Sequence, residues 1–540
     1  MNSKMPGNAA NWTRRDFVRA VSAAGLGWMA SGMFRGRATQ ALAAQIAEGQ
    51  PLRASLQLDL ERRLGTIDPN LYGNFIEHLG RCIYGGIYDE GSPLSDAGGL
   101  RQDVLAAARR LRVTQLRWPG GNFSSGYHWQ DGIGPKDSRP ARYNLAWFQR
   151  ESNRYGTGEF IATCRKLGAE PYICVNTGSG TMDEAGAWVE YCNREGGTYF
   201  SDLRRKHGHP DPYRVKYWGL GNEVYGNWQI GHKSAAEYAK AAVEFAKVMK
   251  WQDPGIKLIA CGTGDPSWDR PVLEALVAHV DYISAHHYTK ADALKDYYEI
   301  LASVAQMEAM MRRSALTAEG ISAQARKATP VWTAVDEWNI LPNLADATKR
   351  DEVHKFEVPY TLCDALWVAS ALNALQRNCR TVRLANLAQL VNVIAPIYTT
   401  PTGLLLLTIY FPLELYANRS GNVALEVDVQ SPRFETKNFA DQPYLDASAT
   451  YDESKRRVSL GVVNRRREGD VVGSIALAGV RARPGGRAFL ITGTNPEAHN
   501  NLENTRAVST EEVKLEAAGS RFEYRFPRHS ISWLEFEVES

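Results

Sequence analysis

Short, continuously apolar runs alternate with amphipathic helical segments through most of the chain. Continuous rather than alternating hydrophobicity is expected of a parallel strand that is buried on both faces. Eight such runs are NLYGNFIEH (70–78), TQLRWPGGN (114–122), PYICVNTG (171–178), VKYWGLGNE (215–223), IKLIACGTG (256–264), DYISAHHY (281–288), PVWTAVDEWN (330–339) and TVRLANLAQ (381–389).

The repetition of strand and helix across residues 65–411 predicts an α/β fold, a (β/α)8 TIM barrel. A doubly wound sheet is the structural alternative. The glycine-rich phosphate fingerprint that such a sheet often carries is incomplete here, because no third glycine follows Gly219 and Gly221 in register. The barrel is therefore the favoured interpretation.

From residue 412 the pattern changes to alternation of apolar and polar positions. The last run, SISWLEFEV, places leucine, phenylalanine and valine on one face and glutamates on the other. Residues 412–540 are therefore predicted to form a C-terminal antiparallel β-sandwich. Residues 44–64 contain LRASLQLDL, which also alternates. A lone strand is not stable by itself, so we expect this N-terminal strand to join the C-terminal sheet.

Residues 1–43 have the layout of an export signal. They hold six basic residues against one acidic residue, and the apolar stretch VSAAGLGWMASGMF follows TRRDFVRA. The pair Arg14–Arg15 resembles a twin-arginine signal, and ALA at 41–43 supplies small residues for cleavage. The stretch is too short for a stable membrane anchor. We expect export of the folded protein to the periplasm or beyond; a basic, disordered N-terminus is the alternative.

Composition and charge narrow the class of partner. Charged residues make up 23% and hydrophobic residues 44% of the chain, which is ordinary for a globular protein. Beyond residue 43 acidic residues slightly outnumber basic ones, so neither nucleic acid nor an anionic membrane is indicated as a partner. The seven cysteines form no CxxC pair, and their odd number leaves at least one free thiol.

Two glutamates follow buried strands on roughly opposite sides of the predicted barrel mouth, where catalytic groups collect. Glu223 ends the fourth run, and Glu337 lies near the end of the seventh. Two such carboxylates suit glycosidic bond cleavage, because one holds a proton for the leaving oxygen while the other, ionised, attacks the anomeric carbon. A separation of about 5 Å predicts retention of configuration, and about 6.5–9.5 Å predicts inversion.

Several long motifs resemble those of one enzyme family. The stretches GLGNEVYGNWQIGHK, AVDEWN, NFIEHLGRCIYGGIYD, RWPGGNFSSGYHWQDGIGP and NLAQLVNVIAPI look like the α-L-arabinofuranosidases of glycoside hydrolase family fifty-one. The resemblance covers nearly all of the chain after the export signal. It implies a clan A barrel with a β-sandwich, a carbohydrate substrate, a retaining mechanism, no metal or organic cofactor, and a homo-oligomer, commonly a hexamer.

Carried over position by position, the resemblance makes Glu223 the acid/base and Glu337 the nucleophile. Asn222 would bond the sugar 2-hydroxyl, and Tyr288 would keep Glu337 ionised and oriented. The other residues implied are Glu77, Asn122 and Gln389 for the remaining hydroxyls, His286 in a supporting role, and Trp118, Trp228 and Trp338 as walls. Tyr225 and Asn227 depart from the commonest pattern, which leaves the preference for the leaving group open.

The leading prediction is an exo-acting α-L-arabinofuranosidase that trims arabinoxylan, arabinan or oligosaccharides. The alternatives are another retaining clan A glycosidase (a β-xylosidase or an endo-β-glucanase), a non-catalytic carbohydrate-binding protein, and a metal-dependent hydrolase. Structural explanations also exist for single residues. Glu77 can pair with Arg81, Asn122 lies in a PGGN turn, and Gln389 can begin a helix.

Overall fold

The computed structural model describes residues 51–342, 351 and 353–539. The predicted export signal (1–43) and residues 44–50 lie outside the described residues. The strands are β1 (Leu52–Thr66), β2 (Gly73–Phe75), β3 (Gln115–Trp118), β4 (Arg142–Asn144), β5 (Gln149–Glu151), β6 (Glu170–Cys174), β7 (Tyr217–Leu220), β8 (Lys257–Ala260), β9 (Tyr282–Lys290), β10 (Trp332–Leu341), β11 (Val382–Ala388), β12 (Ile397–Thr400), β13 (Gly403–Leu406), β14 (Val423–Gln430), β15 (Arg433–Phe434), β16 (Gln442–Pro443), β17 (Leu445–Asp452), β18 (Arg457–Asn464), β19 (Val471–Ala478), β20 (Arg481–Ala482), β21 (Arg487–Thr492), β22 (Ser509–Lys514), β23 (Arg521–Phe526) and β24 (Ser530–Glu539). The α-helices are α1 (Gln102–Leu111), α2 (Thr157–Leu167), α3 (Met182–Asn193), α4 (Tyr199–Lys206), α5 (Ala235–Gln252), α6 (Pro266–Leu276), α7 (Ala291–Leu294), α8 (Tyr297–Ala302), α9 (Val304–Gln324), α10 (Leu362–Arg377) and α11 (Tyr410–Arg419).

Eight parallel strands close into a barrel, in the order β10-β11-β2-β3-β6-β7-β8-β9. Each overlaps one of the eight continuously apolar runs, although β6, β9 and β10 extend past a run by one or two residues, and strands such as β3 and β7 are buried at every position. Helices lie between the strands along the chain, and α10 is buried along almost its whole length. The predicted α/β barrel is confirmed, because continuous hydrophobicity reflects burial on both faces.

The loop from β7 to α5 ends at a well-defined residue. The side chain of Ser234 accepts from the backbone N–H of Glu237, and the Glu237 carboxylate accepts from the backbone N–H of Ser234. This reciprocal capping satisfies two of the free donors at the helix start. It fixes the end of the loop that carries Glu223.

The C-terminal strands form an antiparallel β-domain with β1. The sheet order is β22-β21-β24-β18-β17-β14-β1-β19-β23, and β20 pairs with β24. β1 pairs antiparallel with β14, as its alternating pattern predicts. Five strands separate β23 from β24 in this order, yet the rings of Phe522 and Phe536 lie 5.3 Å apart. The two halves of the sheet therefore face each other as a sandwich, and the predicted fold class is confirmed.

Helix α11 packs against the barrel and also contacts the β-domain, where the rings of Tyr416 and Trp533 lie 4.7 Å apart. The Tyr410 hydroxyl donates to the carbonyl of Ala107 at 2.9 Å, and Arg112 donates to the carbonyl of Ala417 at 2.9 Å. The predicted boundary at residue 412 falls inside this helix. The C-terminal strands of the β-domain therefore begin later, at Val423.

Two further features concern export and redox state. All seven cysteines are unpaired, and six of them are buried. The predicted free thiol is thus confirmed, and no disulfide braces the fold of the described residues. None of the helices in the described part of the chain is both long enough and apolar enough to cross a membrane.

Candidate active site

Glu223 and Glu337 come together at the mouth of the barrel. Glu223 follows β7 with a left-handed backbone (φ 43°), and Glu337 lies on β10 beside His286 of β9. One oxygen of each carboxylate and a nitrogen of His286 lie within 4.8 Å of one another. This spacing fits double displacement, which needs about 5 Å, and leaves too little room for the water of an inverting mechanism.

Two strong donors hold the Glu337 carboxylate. Arg117 donates through Nη1 to Oε1 at 2.7 Å, and the Tyr288 hydroxyl donates to Oε2 at 2.7 Å. A Cβ added to Gly121 would lie 3.0 Å from Glu337 Oε1, so this close approach of the loop requires glycine. The carboxylate is therefore fixed in orientation by one hydrogen bond to each of its oxygens.

Arg117 connects the nucleophile position to the neighbouring amide. Its side chain is buried, and Nη2 donates to Asn222 Oδ1 at 2.6 Å. Burial disfavours the charged guanidinium, but Glu337 and Asp336 outweigh it and raise the pKa of Arg117 further. The Asn222 oxygen is thus occupied, whereas its Nδ2 has no hydrogen-bond partner among the described residues. That buried donor is available to a sugar hydroxyl.

His286 is a cation between three carboxylates. Its Nδ1 lies 2.9 Å from Glu223 Oε1, and its Nε2 lies 3.3 Å from Asp336 Oδ1. Burial lowers the pKa of His286, but Glu337, Asp336 and Glu223 outweigh it and raise that pKa to about 10. The imidazole is therefore protonated at neutral pH, with both nitrogens acting as donors.

The protonation of Glu223 differs from the sequence expectation of a protonated acid. Burial raises its pKa, but hydrogen bonds from His286, Trp228 and Tyr225 outweigh burial and lower it. Trp228 Nε1 lies 3.0 Å from Oε2, and the Tyr225 hydroxyl lies 3.3 Å from Oε1. Glu223 is therefore ionised in the free protein, and the nearest proton is on His286.

Glu77 also lies at the site, where its carboxylate, like that of Glu337 and like the Asn222 amide, approaches Gly121. Its Oε1 accepts from the backbone N–H of Phe123 at 3.0 Å and from Trp147 Nε1 at 2.9 Å. Gln389 donates through Nε2 to Glu77 Oε2 at 3.2 Å and keeps a buried, unpartnered Oε1. Burial, partly offset by these donors, raises the pKa of Glu77 to about 7. The two side chains therefore present oxygen acceptors to a ligand, and Glu77 can also donate a hydrogen bond when it is protonated.

The structural explanations for single residues have different outcomes. Arg81 pairs with Glu357 at 2.7 Å, so the alternative pairing with Glu77 is wrong. Gln389 follows β11 and begins no helix. Asn122 begins a 3-10 helix, Asn122–Gly126, and is half-buried, so turn formation accounts for its position.

Two of the three predicted tryptophan walls are wrong. Trp118 is fully buried and donates to His78 Nε2 at 3.0 Å, and Trp338 is 1% exposed with its ring 6.4 Å from that of Trp367. Each directly follows a site residue on its strand, and successive strand residues point to opposite faces. Both therefore pack in the layer between the barrel and its helices. Trp228 is 60% exposed and lies at the site.

Sequence reasoning missed three residues that complete the site. Arg117 and Asp336 lie inside the motifs RWPGGN and AVDEWN, where a charge within an apolar strand signals a buried partner. Trp147 lies on the β4–β5 hairpin, which interrupts the strand–helix pattern and carries no such signal. Asp336 accepts from the Tyr172 hydroxyl at 2.7 Å and balances the charge of Arg117.

Glu223, His286 and Glu337 are the group of side chains that, among the described residues, could hold a metal ion. A histidine ligand must offer a neutral nitrogen. Both His286 nitrogens face carboxylates, and its pKa is raised to about 10. The donor set therefore fits a hydrogen-bonded charge cluster better than a metal centre.

A parallel barrel with two facing carboxylates, one fixed by an arginine and a tyrosine, defines a glycoside hydrolase. Family models described as an α-L-arabinofuranosidase 1 domain and an α-L-arabinofuranosidase C-terminal domain match residues 107–306 and 336–530. The chain belongs to the α-L-arabinofuranosidase family, and the resemblance noted in the sequence is confirmed.

Individual relatives cover most of the chain. α-L-Arabinofuranosidase C of Emericella nidulans is 40% identical over 508 residues, which cover 88% of this chain and 96% of that protein. An intracellular exo-α-(1→5)-L-arabinofuranosidase of Halalkalibacterium halodurans is 41% identical over 77% of this chain and 85% of its own. The structure of the family 51 α-L-arabinofuranosidase from Thermotoga petrophila shows 43% identity and a TM-score of 0.84, covering 90% of this chain and 100% of that chain.

Proposed function

We propose that this glycoside hydrolase is a retaining exo-α-L-arabinofuranosidase that releases terminal L-arabinofuranose by double displacement. The observation that carries the proposal is the spacing of Glu223 and Glu337, whose oxygens lie within 4.8 Å. The substrate class is arabinose-containing hemicellulose, arabinan or oligosaccharides. The name of the Halalkalibacterium relative favours α-(1→5) linkages among them.

In the first step, a Glu337 oxygen attacks the anomeric carbon and the bond to the leaving oxygen breaks. Glu223 gives that oxygen a proton, and arabinose stays bound to Glu337 as an ester. In the second step, Glu223 takes a proton from water, and the water oxygen attacks the same carbon. The ester bond breaks, Glu337 is regenerated, and arabinose leaves with retained configuration.

The proton for the first step comes from His286. Its pKa is raised to about 10 by the surrounding carboxylates despite burial, whereas the pKa of Glu223 is lowered by this same partner. The 2.9 Å contact between His286 Nδ1 and Glu223 Oε1 lets the proton pass to Glu223 as the leaving oxygen becomes basic. After the second step, the proton that Glu223 took from water returns to His286 through the same contact. His286 is thus a positioning and proton-holding residue, and Glu223 is the group that meets the substrate.

The sugar is held by groups on both sides of the two glutamates. The unpartnered Asn222 Nδ2 suits the 2-hydroxyl, where a bond strengthens as positive charge develops on the ring. Glu77 and the free Oε1 of Gln389 suit the other hydroxyls, with Asn122 beside them. Trp147 and Trp228 form the aromatic sides.

Replacement of the nucleophile tests the mechanism directly. Glu337→Gln should lower kcat by at least about a thousandfold, because an amide cannot form the intermediate. Titration calorimetry should still detect arabinose binding. Tyr282→Phe serves as a control, since Tyr282 lies near the start of the same β9 strand that carries His286. Undiminished hydrolysis by Glu337→Gln would show that Glu337 is not the nucleophile.

A panel of nitrophenyl glycosides separates the rival activities. The α-L-arabinofuranoside should be cleaved at least about a hundredfold faster than the β-D-xyloside or β-D-glucoside, with retention seen by NMR. Preference for the xyloside or glucoside would instead assign a β-xylosidase or an endo-β-glucanase. Binding without turnover of any glycoside would assign a carbohydrate-binding protein.

We also propose that the protein is exported by its twin-arginine-type signal to the periplasm or beyond, and that it forms a homo-oligomer. Arg14–Arg15 and the apolar stretch behind it support export, and unpaired buried cysteines suit a protein that folds before export. The family resemblance supports a hexamer. Fractionation of an Arg14→Lys, Arg15→Lys double variant tests the first point, and light scattering of the purified enzyme tests the second.

A further inference from the structure

A cavity of about 310 Å³ lies between the barrel and the β-domain, and we call it the junction cavity. Its barrel side is formed by α9 and by Arg377, the last residue of α10. Its β-domain side is formed by the end of β14, by residues 442–447 and by Arg465, which directly follows β18. The residues that line it include none of those at the candidate active site.

Arginines outnumber carboxylates in the wall of the junction cavity. Its charged lining residues are Arg312, Arg377, Arg465, Glu308 and Asp446. Glu308 lies 2.8 Å from Arg312 and 3.0 Å from Arg377. Asp446 lies 3.1 Å from Arg377 and 3.4 Å from Arg465. The carboxylates are thus shared among more guanidinium groups than they can neutralise, and the wall keeps one positive charge in excess.

Arg465 is the arginine of this group with the fewest acceptors. It is 3% exposed, and its contact with Asp446 is its one ion pair among the described residues. Beyond this contact its side chain has no hydrogen-bond acceptor in the described part of the chain. Nε is buried without a partner, so a further acceptor has to approach the terminal Nη groups from the cavity that Arg465 lines. A guanidinium with five N–H donors is costly to bury with so few acceptors.

The electrostatics of the two inner arginines differ in the same sense. Burial lowers the pKa of Arg465, and attraction by Asp446 does not offset this effect. Burial also disfavours the charged form of Arg377, but Asp446 and Glu308 outweigh it and raise that pKa. An arginine stays protonated at neutral pH in either case. The positive charge of Arg465 is therefore the one that its neighbours leave incompletely balanced.

We propose that the junction cavity binds a small monovalent anion, a halide or a carboxylate, against Arg465. One negative charge balances the excess, and the anion supplies acceptors that the buried guanidinium lacks. A divalent anion would instead leave one negative charge in excess. Because the cavity walls come from both the barrel and the β-domain, the bound anion stabilises the contact between them. The inference concerns stability and does not depend on the proposed hydrolase activity.

Thermal unfolding of the purified enzyme in graded sodium chloride and, separately, sodium acetate tests the site. The Tm of the wild type should rise by about 2 °C or more and then level off, because the site saturates. Arg465→Met removes the excess charge and keeps an unbranched buried side chain, so it should lose this rise. Its Tm without added salt should stay close to that of the wild type, since an incompletely paired buried charge is removed.

Two further variants complete the experiment. Arg312→Met also removes one positive charge from the wall, and its side chain is 66% exposed, so it tests the site even if Arg465→Met does not fold. The rise in Tm should be lost in this variant as well. Arg483→Met is the matched control, because Arg483 pairs with Glu537 on the surface of the β-domain and does not line the cavity. It should keep the full rise.

The outcomes decide whether the site exists and which anion it takes. A saturating rise with chloride assigns a halide and one with acetate assigns a carboxylate, and either supports the site when Arg465→Met and Arg312→Met abolish it. An equal rise in these variants and the wild type overturns the proposal, since salt then acts on the whole surface. Crystals soaked in sodium bromide should show an anomalous peak beside the Arg465 guanidinium. A bromide peak there without a saturating rise in Tm means an adventitious ion only and also overturns the proposal.

Discussion

Tyr225 adjusts the acid/base at the scale of a single residue. Its hydroxyl donates to Glu223 Oε1 at 3.3 Å, and this bond is one of those that lower the pKa of Glu223 against the effect of burial. Tyr225 also stands where the sequence departs from the commonest family pattern. The hydroxyl favours the ionised carboxylate, so it should affect how readily the leaving oxygen receives its proton.

Tyr225→Phe should therefore move the alkaline limb of the kcat/KM pH profile to higher pH. The pKa of Glu223 is depressed in the folded enzyme, and loss of a donor to the ionised form raises it. The pair with His286 then holds its shared proton to higher pH. The matched control is Asn227→Ala, an exposed neighbour in the same loop. If the alkaline limb stays in place or moves to lower pH, the Tyr225 hydroxyl does not lower the pKa of Glu223.

Whether a site residue can be predicted from the sequence depends on where its partners lie. Glu223 and Glu337 are predictable, because each lies at or near the end of a buried run, and that end defines its place. Arg117 is not, since its role depends on carboxylates from other strands that only the closed barrel brings within reach. The prediction of Trp118 as a wall of the site is wrong for a simpler reason. Adjacent residues of a strand point to opposite faces, so Arg117 points into the barrel and Trp118 points toward the surrounding helices.

The N-terminal strand β1 shows at the scale of an element how distant segments stabilise the fold. Its side chains alternate between buried and exposed over residues 52–58, and it lies between β14 and β19. Leu56 is fully buried, whereas Gln57 on the other face is exposed. Without β1, the sheet would lose a central strand and expose two edges.

Leu56→Ala should lower the free energy of unfolding by about 2–5 kcal/mol, because it leaves a cavity in the core of the β-domain. Gln57→Ala, one position along the same strand, should change it by about 0.5 kcal/mol or less. Urea denaturation followed by tryptophan fluorescence measures both. Equal effects of the two substitutions would mean that the Leu56 face of β1 does not pack in the core of the β-domain.

The long strands were predictable because hydrophobicity alone defines them, but the insertion between β3 and α2 was not. This segment contains three 3-10 helices and the β4–β5 hairpin, all of three to five residues. Its conformation depends on contacts with another element. Asn144 donates to the carbonyl of His78 at 2.9 Å, and Glu151 pairs with the His78 ring at 2.7 Å. Such pairings leave no periodic pattern in the sequence.

At the scale of the whole molecule, a buried charge network joins the barrel to the β-domain. Asp446 of β17 lies 3.1 Å from Arg377 of α10 and 3.4 Å from Arg465. It also accepts from Asn373 Nδ2 at 2.8 Å, and Arg377 in turn pairs with Glu308 of α9 at 3.0 Å. Since these residues belong to both parts, separating the parts exposes unpaired charges.

Asp446→Asn should therefore destabilise both parts together. The amide keeps the size of the side chain but leaves the buried guanidinium of Arg465 without a carboxylate and the half-buried Arg377 with Glu308 alone, which together costs about 3–5 kcal/mol. Calorimetry should show one unfolding transition in the wild type and one, at lower temperature, in the variant. The control is Glu453→Gln, which removes an exposed ion pair with Arg63 and should change the transition temperature little. Two separate transitions in the wild type would contradict the coupling. If the coupling holds, kcat/KM of Asp446→Asn stays unchanged at temperatures well below the unfolding transition. The reason is that the network lies between the barrel and the β-domain and does not contact the catalytic glutamates.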